Sequence, residues 1–370
     1  MAAGLERRDR APRSANIPRI TLAIEIQPEV GAIGDEWGQL ADRTAASPFV
    51  YPGWIEAWWG AFGDGQLEVL AVRRDGRLTA VMPLARRGGI LASTTNWHSP
   101  VYGPVSEDEG ALRVLVEALL ERAPRRLDLS FLESNDPLLA EWRLATEASR
   151  VKTAQRVIER SPYVEIDGPS EEFESRLPSR RRSKLRRFRR RLEEQGSVSI
   201  ETRDGSERLE HLLDEGFQIE ASGWKRERGT AIMSRPETLA FYRAVARWAS
   251  ERGWLRLWFL RLDDRPIAFA YCLEQGERLY ELKVGFNVDY GRFGPGVILT
   301  QARLSHSFSA GLRTYEFLGQ AERHKLDWTS ACRDRVRIQA FAPTPAGVAS
   351  RLLWTYGRPA AKRAMAVARR

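Results

Sequence analysis

A glycine-rich loop is the stretch of the sequence best suited to bind an anion. It reads NVDYGRFGPGVILTQARL, follows a strand-like segment, and carries Gly291, Gly294 and Gly296 just before an apolar-periodic helix. Glycines allow positive φ angles and a close approach of the backbone to a ligand, and the first amides of a helix have no partner within it. The loop therefore predicts a phosphate or pyrophosphate site, although a plain turn is the commoner meaning of such glycines.

A second loop, GQAERHKLDW, gathers three groups that exchange protons. Glu322, His324 and Lys325 fall within four residues, directly after a strand-like segment. Folds of the α/β class bind ligands at the carboxyl ends of their strands, and an imidazole that titrates near neutrality suits a general base. A solvated charged turn explains the same text equally well, because charged loops are common on protein surfaces.

Two further sets of residues are candidates for binding or proton transfer. In the strand-like segment LYELKVGF, Glu281 and Lys283 share one face if the segment is a strand. Glu281 is then either a general base beside a ligand or half of an ion pair, and the ion pair is the more frequent outcome. Glu220, Trp224 and Lys225 follow a predicted helix and are candidates for an acceptor pocket. A buried Trp beside an extended Lys fits them equally well.

The excess positive charge of the chain is concentrated in one segment. The net charge is +9, and the run RRRSKLRRFRRR, residues 180–191, holds nine cations and no acid. The rest of the chain is therefore near neutral, which disfavours a protein whose whole surface binds nucleic acid.

The basic run is predicted to form a helix docked by one narrow face. Leu185, Phe188 and Leu192 recur at helical spacing, Ser179 is a candidate cap, and Gly196 is a candidate stop. Like charges one turn apart repel, so the uninterrupted set favours an anionic counterpart, although an arginine-rich face in solvent is equally common. The cations expected to meet that counterpart are Arg182, Arg186, Arg189 and Arg190.

Composition excludes several classes of protein. The two cysteines, Cys272 and Cys332, have no paired spacing, and the four histidines are dispersed, so neither a disulfide framework nor a metal site is indicated. No stretch has the length of a membrane span, and the first residues lack the apolar core of a signal peptide, which predicts a cytoplasmic protein. The basic C-terminus is amphipathic, and it fits a docked helix or a helix lying on the inner face of a membrane.

A long repeat predicts the architecture. Each half reads strand, Asp turn, strand, strand, helix, strand, with Asp75 and Asp263 in corresponding turns and Phe131 and Phe317 in corresponding strands. This order indicates an α/β fold with a mixed sheet in two similar halves, each β-β-β-α-β with helices in front. The predicted domains are a disordered tail (1–17), a first half (18–155), a second half (156–345) and a basic C-terminal helix (346–370).

Only the second half is expected to bind a phosphate. The corresponding loop of the first half, SPVYGPVSEDEG, places Glu107, Asp108 and Glu109 before its helix. These acids repel a phosphate from the helix N-terminus.

The text from Glu220 to Trp328 resembles the GNAT acetyltransferases found with bacterial cellulose and exopolysaccharide synthesis, which are structurally akin to the Fem peptidyltransferases. The resemblance rests on EASGWK, LAFYRAVARWASERGWLRLWFLRLDDRPIAFAY, LYELKVGFN, FGPGVIL and YEFLGQAERHKLDW, taken in order. The helix RRRSKLRRFRRRLEEQG also resembles a basic helix of that family. The family's fold implies two GNAT-like halves, the first of them degenerate.

The resemblance implies roles for particular residues. Acyl-CoA is expected in the second half, with the strand 279–287 along the thioester and the loop 291–298 around the pyrophosphate. The donor-binding residues would be Lys283, Gly285, Gly291, Arg292, Gly294, Gly296 and Val297. Glu322, Lys325 and Trp328 fall on the family's pattern, with Trp328 expected to bind the acceptor, and His324 stands where a Tyr is usual. Gly291 takes the place of the family's Gln or Arg, and Pro295 lacks an amide.

The expected function is acyl transfer, with acetyl the expected group, from acyl-CoA to an amine. The acceptor is expected to be a saccharide, a lipid-linked molecule or a small metabolite, and the transfer is expected to be direct and to need no metal. Two alternatives stay open: a Fem-like transferase that uses aminoacyl-tRNA, with the basic helix on its phosphates, and a non-catalytic protein that binds nucleic acid or an anionic membrane surface.

Overall fold

The computed structural model describes residues 22–122, 125–149, 151–222 and 229–354. The predicted tail 1–17 lies outside these ranges, and the predicted C-terminal helix lies inside them only as far as residue 354. Within the described ranges, no helix is long and apolar enough to cross a membrane.

Thirteen strands and eleven α-helices are described. The strands are β1 Leu22–Gln27, β2 Gln66–Arg74, β3 Arg77–Arg87, β4 Ile90–Ser93, β5 Val105–Ser106, β6 Arg126–Glu133, β7 Lys152–Glu165, β8 Val198–Arg203, β9 Leu255–Leu262, β10 Arg265–Gln275, β11 Arg278–Phe286, β12 Thr314–Glu316 and β13 Cys332–Phe341. The helices are α1 Gly34–Arg43, α2 Pro52–Phe62, α3 Glu109–Arg122, α4 Leu138–Ser149, α5 Ser170–Arg176, α6 Ser179–Glu193, α7 Leu209–Glu220, α8 Pro236–Glu251, α9 Pro295–Ser309, α10 Arg323–Leu326 and α11 Pro345–Leu352.

The strands form one mixed sheet in the order β1-β2-β3-β4-β6-β13-β7-β12-β11-β10-β9-β8, with β5 against β3. The strand order counted from β1 corresponds to the strand order counted from β8, so β2-β3-β4-β6 corresponds to β9-β10-β11-β12. In both halves the third and fourth strands of this set, β4 with β6 and β11 with β12, pair in parallel, while the hairpins pair antiparallel. The predicted mixed α/β fold in two similar halves is confirmed.

The corresponding hairpins turn at the corresponding acids. Asp75 and Gly76 have φ angles of 51° and 84°, and Asp263 and Asp264 have φ angles of 47° and 62°. Positive φ at both central residues defines the type I′ turn, whose twist matches that of the flanking strands, and Asp and Gly tolerate it best. The Asp turns of the repeat therefore set the register of both hairpins.

The two halves exchange their final strands. β7 follows the first half in sequence and pairs with β12 of the second, while β13 follows the second half and pairs with β6 of the first. β7 and β13 pair with each other along the centre of the sheet. The boundary predicted between residues 155 and 156 falls inside β7, because the polar text of that region forms a strand and not a linker.

Three apolar cores hold the layers of the described residues together. One core is shared by both halves, because α2 of the first half packs on α8 of the second: the Trp54 ring meets the Phe241 ring edge-on at 5.3 Å. On the other face of the sheet, α3 and α4 cover the first half, and α5, α6 and α9 cover the second. The shared core fixes the two halves as one unit, which allows residues of one half to serve the other.

Helix α6 docks as predicted but begins and ends differently. Leu185 and Leu192 are buried and Phe188 is partly buried, so the apolar stripe is confirmed. Ser179 is the first helical residue, and its hydroxyl does not cap the helix, because Pro178 occupies the cap position. The helix ends at Glu193, ahead of Gly196, which lies against the Asp263 carboxylate.

Candidate functional site

Strands β11 and β12 separate after a short parallel pairing. They pair only from Arg278 with Thr314 to Tyr280 with Glu316. β11 continues to Phe286 along β10, whereas the chain after β12 turns away at Leu318 and Gly319, whose φ angles are 52° and 63°. Backbone groups at the edge of a strand need partners, so the β11 edge from residue 281 to 286 offers amides and carbonyls to a ligand in the opening.

A β-bulge lies in β11 at this opening. Tyr271 of β10 pairs with Lys283 and the next residue, Cys272, pairs with Glu281, so Leu282 is the extra residue. A bulge leaves its extra residue out of the ladder and re-aims the neighbouring side chains. The expectation that Glu281 and Lys283 share a face is therefore wrong, because the bulge adds one residue between them.

Glu281 points into the core beneath α9. It is 5% exposed, and its carboxylate accepts hydrogen bonds from the Arg303 guanidinium at 2.6 Å and from the Tyr315 hydroxyl at 2.5 Å. These contacts make Glu281 half of a buried ion pair, the alternative that its sequence context also allowed, with Arg303 as the partner. Beside it, burial raises the pKa of the Cys272 thiol to about 12, so this thiol stays protonated near neutrality.

Lys283 and Gly285 face the other side of the opening. The Lys283 ammonium lies 5.4 Å from the centre of the Tyr242 ring on α8. Gly285 packs against the end of α7, and a Cβ there would lie 2.4 Å from the Cα of Glu220. The Glu220 carboxylate is buried and accepts the amide of Ile232 at 2.9 Å. Glu220 thus links the end of α7 to Ile232; Trp224 and Lys225 lie outside the described residues.

The glycine loop lies at the start of α9, next to the same opening. It forms a short 3-10 helix, Val288–Phe293, in which the Arg292 guanidinium stacks on the Phe293 ring at 4.7 Å. Gly294 has a φ of 64° and precedes Pro295, the first residue of α9. The amides of Val297 and Ile298 donate to the Gly294 carbonyl, so in the described part of the chain the Gly296 amide is the free donor at this helix start.

Two aromatic rings lie against the loop and leave no room for larger residues at one position. A Cβ on Gly294 would lie 2.4 Å from the Phe188 ring of α6, whereas a Cβ on Gly296 would lie 3.3 Å from the ring of Phe286. Gly294 is therefore required by both its positive φ and its packing, and Gly296 is required by neither. The helix start carries the partial positive charge of the α9 dipole.

The charged loop after β12 divides into a buried part and an exposed part. The Lys325 ammonium donates to the carbonyls of Leu318 and Gln320 at 2.8 and 3.3 Å, which holds the turn where β12 leaves β11. The side chains of Glu322 and His324 are 57% and 60% exposed, with 3.8 Å between the carboxylate and the imidazole. Lys325 thus shapes the opening, while Glu322 and His324 remain candidates for proton transfer.

Helix α6 joins the two loops that flank the opening. At its first turn, Arg181 is buried, stacks on the Trp328 ring at 4.4 Å and pairs with Asp327 at 2.9 Å. Two turns later, Phe188 covers Gly294. Trp328 therefore fixes α6 beside the opening, and the predicted position of the basic helix as a wall of this half is what the structure shows.

Comparisons with known proteins agree with this geometry. Residues 179–326 match the model of the acetyltransferase (GNAT) domain family. FemX superposes with a TM-score of 0.57 at 14% identity, covering 84% of this chain and 96% of its own. L-PGS from Bacillus licheniformis gives a TM-score of 0.54 at 11% identity, covering 86% of this chain and 95% of its own.

A third solved structure is the C-terminal domain (DUF2156) of a proposed lysylphosphatidylglycerol synthetase from Agrobacterium fabrum. It gives a TM-score of 0.56 at 14% identity and covers 88% of this chain and 97% of its own. No curated protein matches the sequence. At these identities the structural likeness concerns the fold.

The second half has a GNAT-like fold.

The cations on α6 of this GNAT-like half have different partners. Arg189 and Arg190 pair with acids one turn later, at 2.9 and 3.6 Å. Arg186 donates to the Ser183 hydroxyl, and Arg182 buries an unpaired Nε. Among the exposed arginines of α6, Arg180, Arg186, Arg187 and Arg191 pair with no acid in the described part of the chain. The four arginines predicted to meet an anion are therefore not equivalent.

The first half keeps the GNAT-like strand order but fills its own opening. The Tyr102 amide donates to the Phe131 carbonyl at 3.0 Å, and its buried hydroxyl donates to the Pro83 carbonyl at 2.6 Å, so the segment before β5 occupies the space next to β6. Asp108 accepts the amide of Ala111 at the start of α3. An ion pair with Arg74 and this amide hold the pKa of Asp108 at about 2. Its carboxylate therefore takes the position that a phosphate needs.

Sequence reasoning missed residues whose neighbours come from distant segments. His98 of the first half lies with its Nδ1 3.3 Å from the Tyr242 hydroxyl, near Lys283. Neither His98 nor Tyr242 has a local motif. Arg303 does leave a signal, since a cation on the buried face of an apolar helix requires an acid such as Glu281.

Proposed function

We propose that the chain transfers an acyl group from acyl-CoA to an amine. The observation that carries this proposal is the opening between β11 and β12, with a bulge on its edge and a glycine-led helix start beside it. An extended thioester with amide groups fits the edge of a strand, and a diphosphate fits a helix N-terminus. The match of residues 179–326 to the acetyltransferase (GNAT) family supports the same reaction class.

The donor is proposed to lie along β11. Amides of the donor's pantetheine arm would pair with the edge from residue 281 to 286, and its diphosphate would meet the Gly296 amide and the α9 dipole. Gly285, Gly291, Arg292, Gly294 and Val297 frame this path. Gly285 and Gly294 act through close packing, and Arg292 acts through charge.

The reaction is proposed to be a direct transfer. The amine nitrogen bonds to the thioester carbonyl carbon, the C–S bond breaks, the thiolate takes up a proton, and the amine loses one. The bulge leaves backbone groups out of the ladder where the carbonyl oxygen becomes an oxyanion, and an amide donor stabilises it there. Glu322 and His324 are the exposed groups proposed for proton transfer.

An amine of a saccharide, a lipid-linked molecule or a small metabolite is the proposed acceptor. Contact with the inner face of a membrane is part of this proposal for lipid-linked acceptors, because α6 presents exposed cations and Phe286, Val288 and Leu326 expose apolar surface on neighbouring segments. The proposal is tested by incubating the protein with acetyl-CoA and amine pools and measuring release of the CoA thiol. Release that requires both donor and amine supports it.

A second candidate is the transfer of an aminoacyl group from tRNA. The unpaired cations of α6 favour it, because a polyanion neutralises more of them than one coenzyme does. The two candidates separate in one experiment, in which acetyl-CoA and aminoacyl-tRNA compete for the protein. If uncharged tRNA displaces bound acetyl-CoA only at low salt, the displacement reflects charge and not a specific site. If the protein binds aminoacyl-tRNA stably and does not bind acetyl-CoA, the second proposal replaces the first.

A further inference from the structure

The segment that closes the first half's opening also reaches the second half. We call residues 94–104 the bridging segment. Its Tyr102 fills the space next to β6, and three residues earlier the Ser99 hydroxyl accepts the indole N–H of Trp54 at 2.9 Å. Trp54 belongs to α2, which packs on α8 of the second half. The bridging segment is therefore held by hydrogen bonds at Tyr102 and at Ser99, and His98 directly precedes Ser99.

His98 is held in one orientation against the second half. Its ring stacks on Phe62 with centroids 5.4 Å apart and planes 7° apart, and its Nδ1 lies 3.3 Å from the Tyr242 hydroxyl. His98 is only partly buried, whereas Tyr242 is 1% exposed. A stacked and hydrogen-bonded imidazole at an interface of two halves forms a rigid wall with an accessible edge.

Two cations share this wall. The Lys283 ammonium lies over the Tyr242 ring, one residue beyond the bulge, and Arg235 precedes α8. Burial, with the charges of Lys283 and Arg235, lowers the pKa of His98 to about 4, so the imidazole is neutral near pH 7. Among the described residues, these two cations face one buried acid, Glu220, whose carboxylate is 1% exposed and accepts the Ile232 amide. The wall therefore has a net positive charge.

A positive wall beside the bulge selects among amines. An ammonium ion without a compensating anion is repelled, and a free amine is favoured because nearby cations lower the pKa of the incoming group. An acceptor that also carries an anion is attracted, and its anion meets Lys283 while its amine faces the thioester. Attack requires the free amine, so the same charges favour both binding and deprotonation.

We propose that both halves build the acceptor site, and that His98 and Lys283 bind an amine whose neighbouring group is a carboxylate or a phosphate. This inference rests on the proposed function, because it places the acceptor on the face of β11 opposite Glu281. It gives the first half a role although its own opening is filled.

The test compares matched amines at saturating acetyl-CoA, with thiol release as the readout. Glucosamine 6-phosphate is paired with glucosamine, and β-alanine is paired with β-alaninamide. At least one amine that carries the anion is expected to exceed its partner without the anion about tenfold or more in kcat/KM. The pair with the larger ratio shows whether the site prefers a phosphate or a carboxylate. The proposal is overturned if amines without the anion react as well as those that carry it. It is also overturned if all the amines that carry the anion fail to react.

Variants locate the effect on the acceptor. Lys283→Met is expected to remove the preference for the charged amine through its KM while the Kd of acetyl-CoA changes less than about threefold. His98→Phe is expected to raise the acceptor KM about tenfold. His98→Asn is expected to raise it less, because the side-chain oxygen of Asn accepts a hydrogen bond from the Tyr242 hydroxyl. His211→Asn, an exposed histidine on α7, is the matched control.

The two proposals fail in different ways. A wild-type protein that binds no acetyl-CoA and releases no thiol refutes the proposed function. A wild-type protein that acetylates amines, but whose His98 and Lys283 variants keep the acceptor KM and the charge preference, refutes only the shared acceptor site. The shared acceptor site is likewise refuted if these variants lose acetyl-CoA affinity instead of acceptor affinity.

Discussion

Replacing Gly296 by Asp places a carboxylate where the donor's diphosphate is proposed to bind. Gly296 lies in the first turn of α9, has no positive φ, and would carry a Cβ 3.3 Å from the Phe286 ring. The first half has an acid at its corresponding helix start, where Asp108, directly before α3, accepts the Ala111 amide. The fold therefore already tolerates an acid at such a helix start.

The expected effect on binding follows from the charge. A carboxylate about 5 Å from one phosphate charge costs about 3 kcal/mol at an effective dielectric of about 20. That free energy weakens the affinity for acetyl-CoA by about two orders of magnitude. Folding stability is expected to stay level or rise by up to about 1 kcal/mol, because a helical glycine is lost and an acid is gained in the first turn.

The assay pairs calorimetric titration of acetyl-CoA with thermal unfolding. Gly296→Asn is the matched control, since it has the same size and no charge, and it is expected to lose less than about tenfold in affinity. Equal losses in the Asp and Asn variants would mean that shape, and not charge, explains the effect. Unchanged affinity in Gly296→Asp would refute the placement of the diphosphate at α9.

Three further outcomes are expected. Glu281→Gln leaves Arg303 buried without its counterion and should lower the free energy of unfolding by about 3 kcal/mol in urea titrations; lost turnover with unchanged stability would make Glu281 a base after all. Burial raises the pKa of Asp136 to about 6, so its contribution to stability is complete below about pH 4 and is lost as the pH rises through 6. Asp136→Asn should therefore be about 2–3 kcal/mol more stable than wild type at pH 7 and equal near pH 4, and a difference independent of pH would contradict this assignment. Arg187→Gln should elute from heparin at lower salt than Arg189→Gln, whose charge is already offset by an acid one turn later; equal elution would mean that α6 presents only its net charge.

The fold could be predicted from the repeat because the sequence features that define the repeat are local. The Asp turns at residues 75 and 263 require positive φ angles, and both turns adopt them. The basic helix was predictable from Leu185 and Leu192 for the same reason. Each of these features depends on residues within a few positions of one another.

The site was harder to predict because it depends on contacts between distant segments. The bulge at Leu282 arises from the pairing of two strands, and it separates Glu281 from Lys283 although alternation in the sequence places them together. The exchange of β7 and β13 has no signal in either strand. The position of His98 beside Lys283 follows from the packing of α2 on α8, which no local pattern encodes.

The glycine loop shows both outcomes within one segment. Its glycines predict a helix start with an open approach, and Gly294 does adopt the left-handed conformation that only glycine accepts readily. The ring that fills the space beside Gly294 comes from Phe188, more than a hundred residues earlier, and links the loop to the basic helix. The loop was therefore predictable from the sequence, whereas the packing of Phe188 against it was not.

Calorimetric titration of the whole chain with acetyl-CoA, with the stoichiometry as the result, decides whether the second half alone binds the donor. One site per chain is expected, because Tyr102 and Asp108 fill the first half's opening while β11, β12 and α9 leave the second open. Gly296→Asp is expected to weaken that single site. Binding of two equivalents, or none, would contradict the proposed donor site.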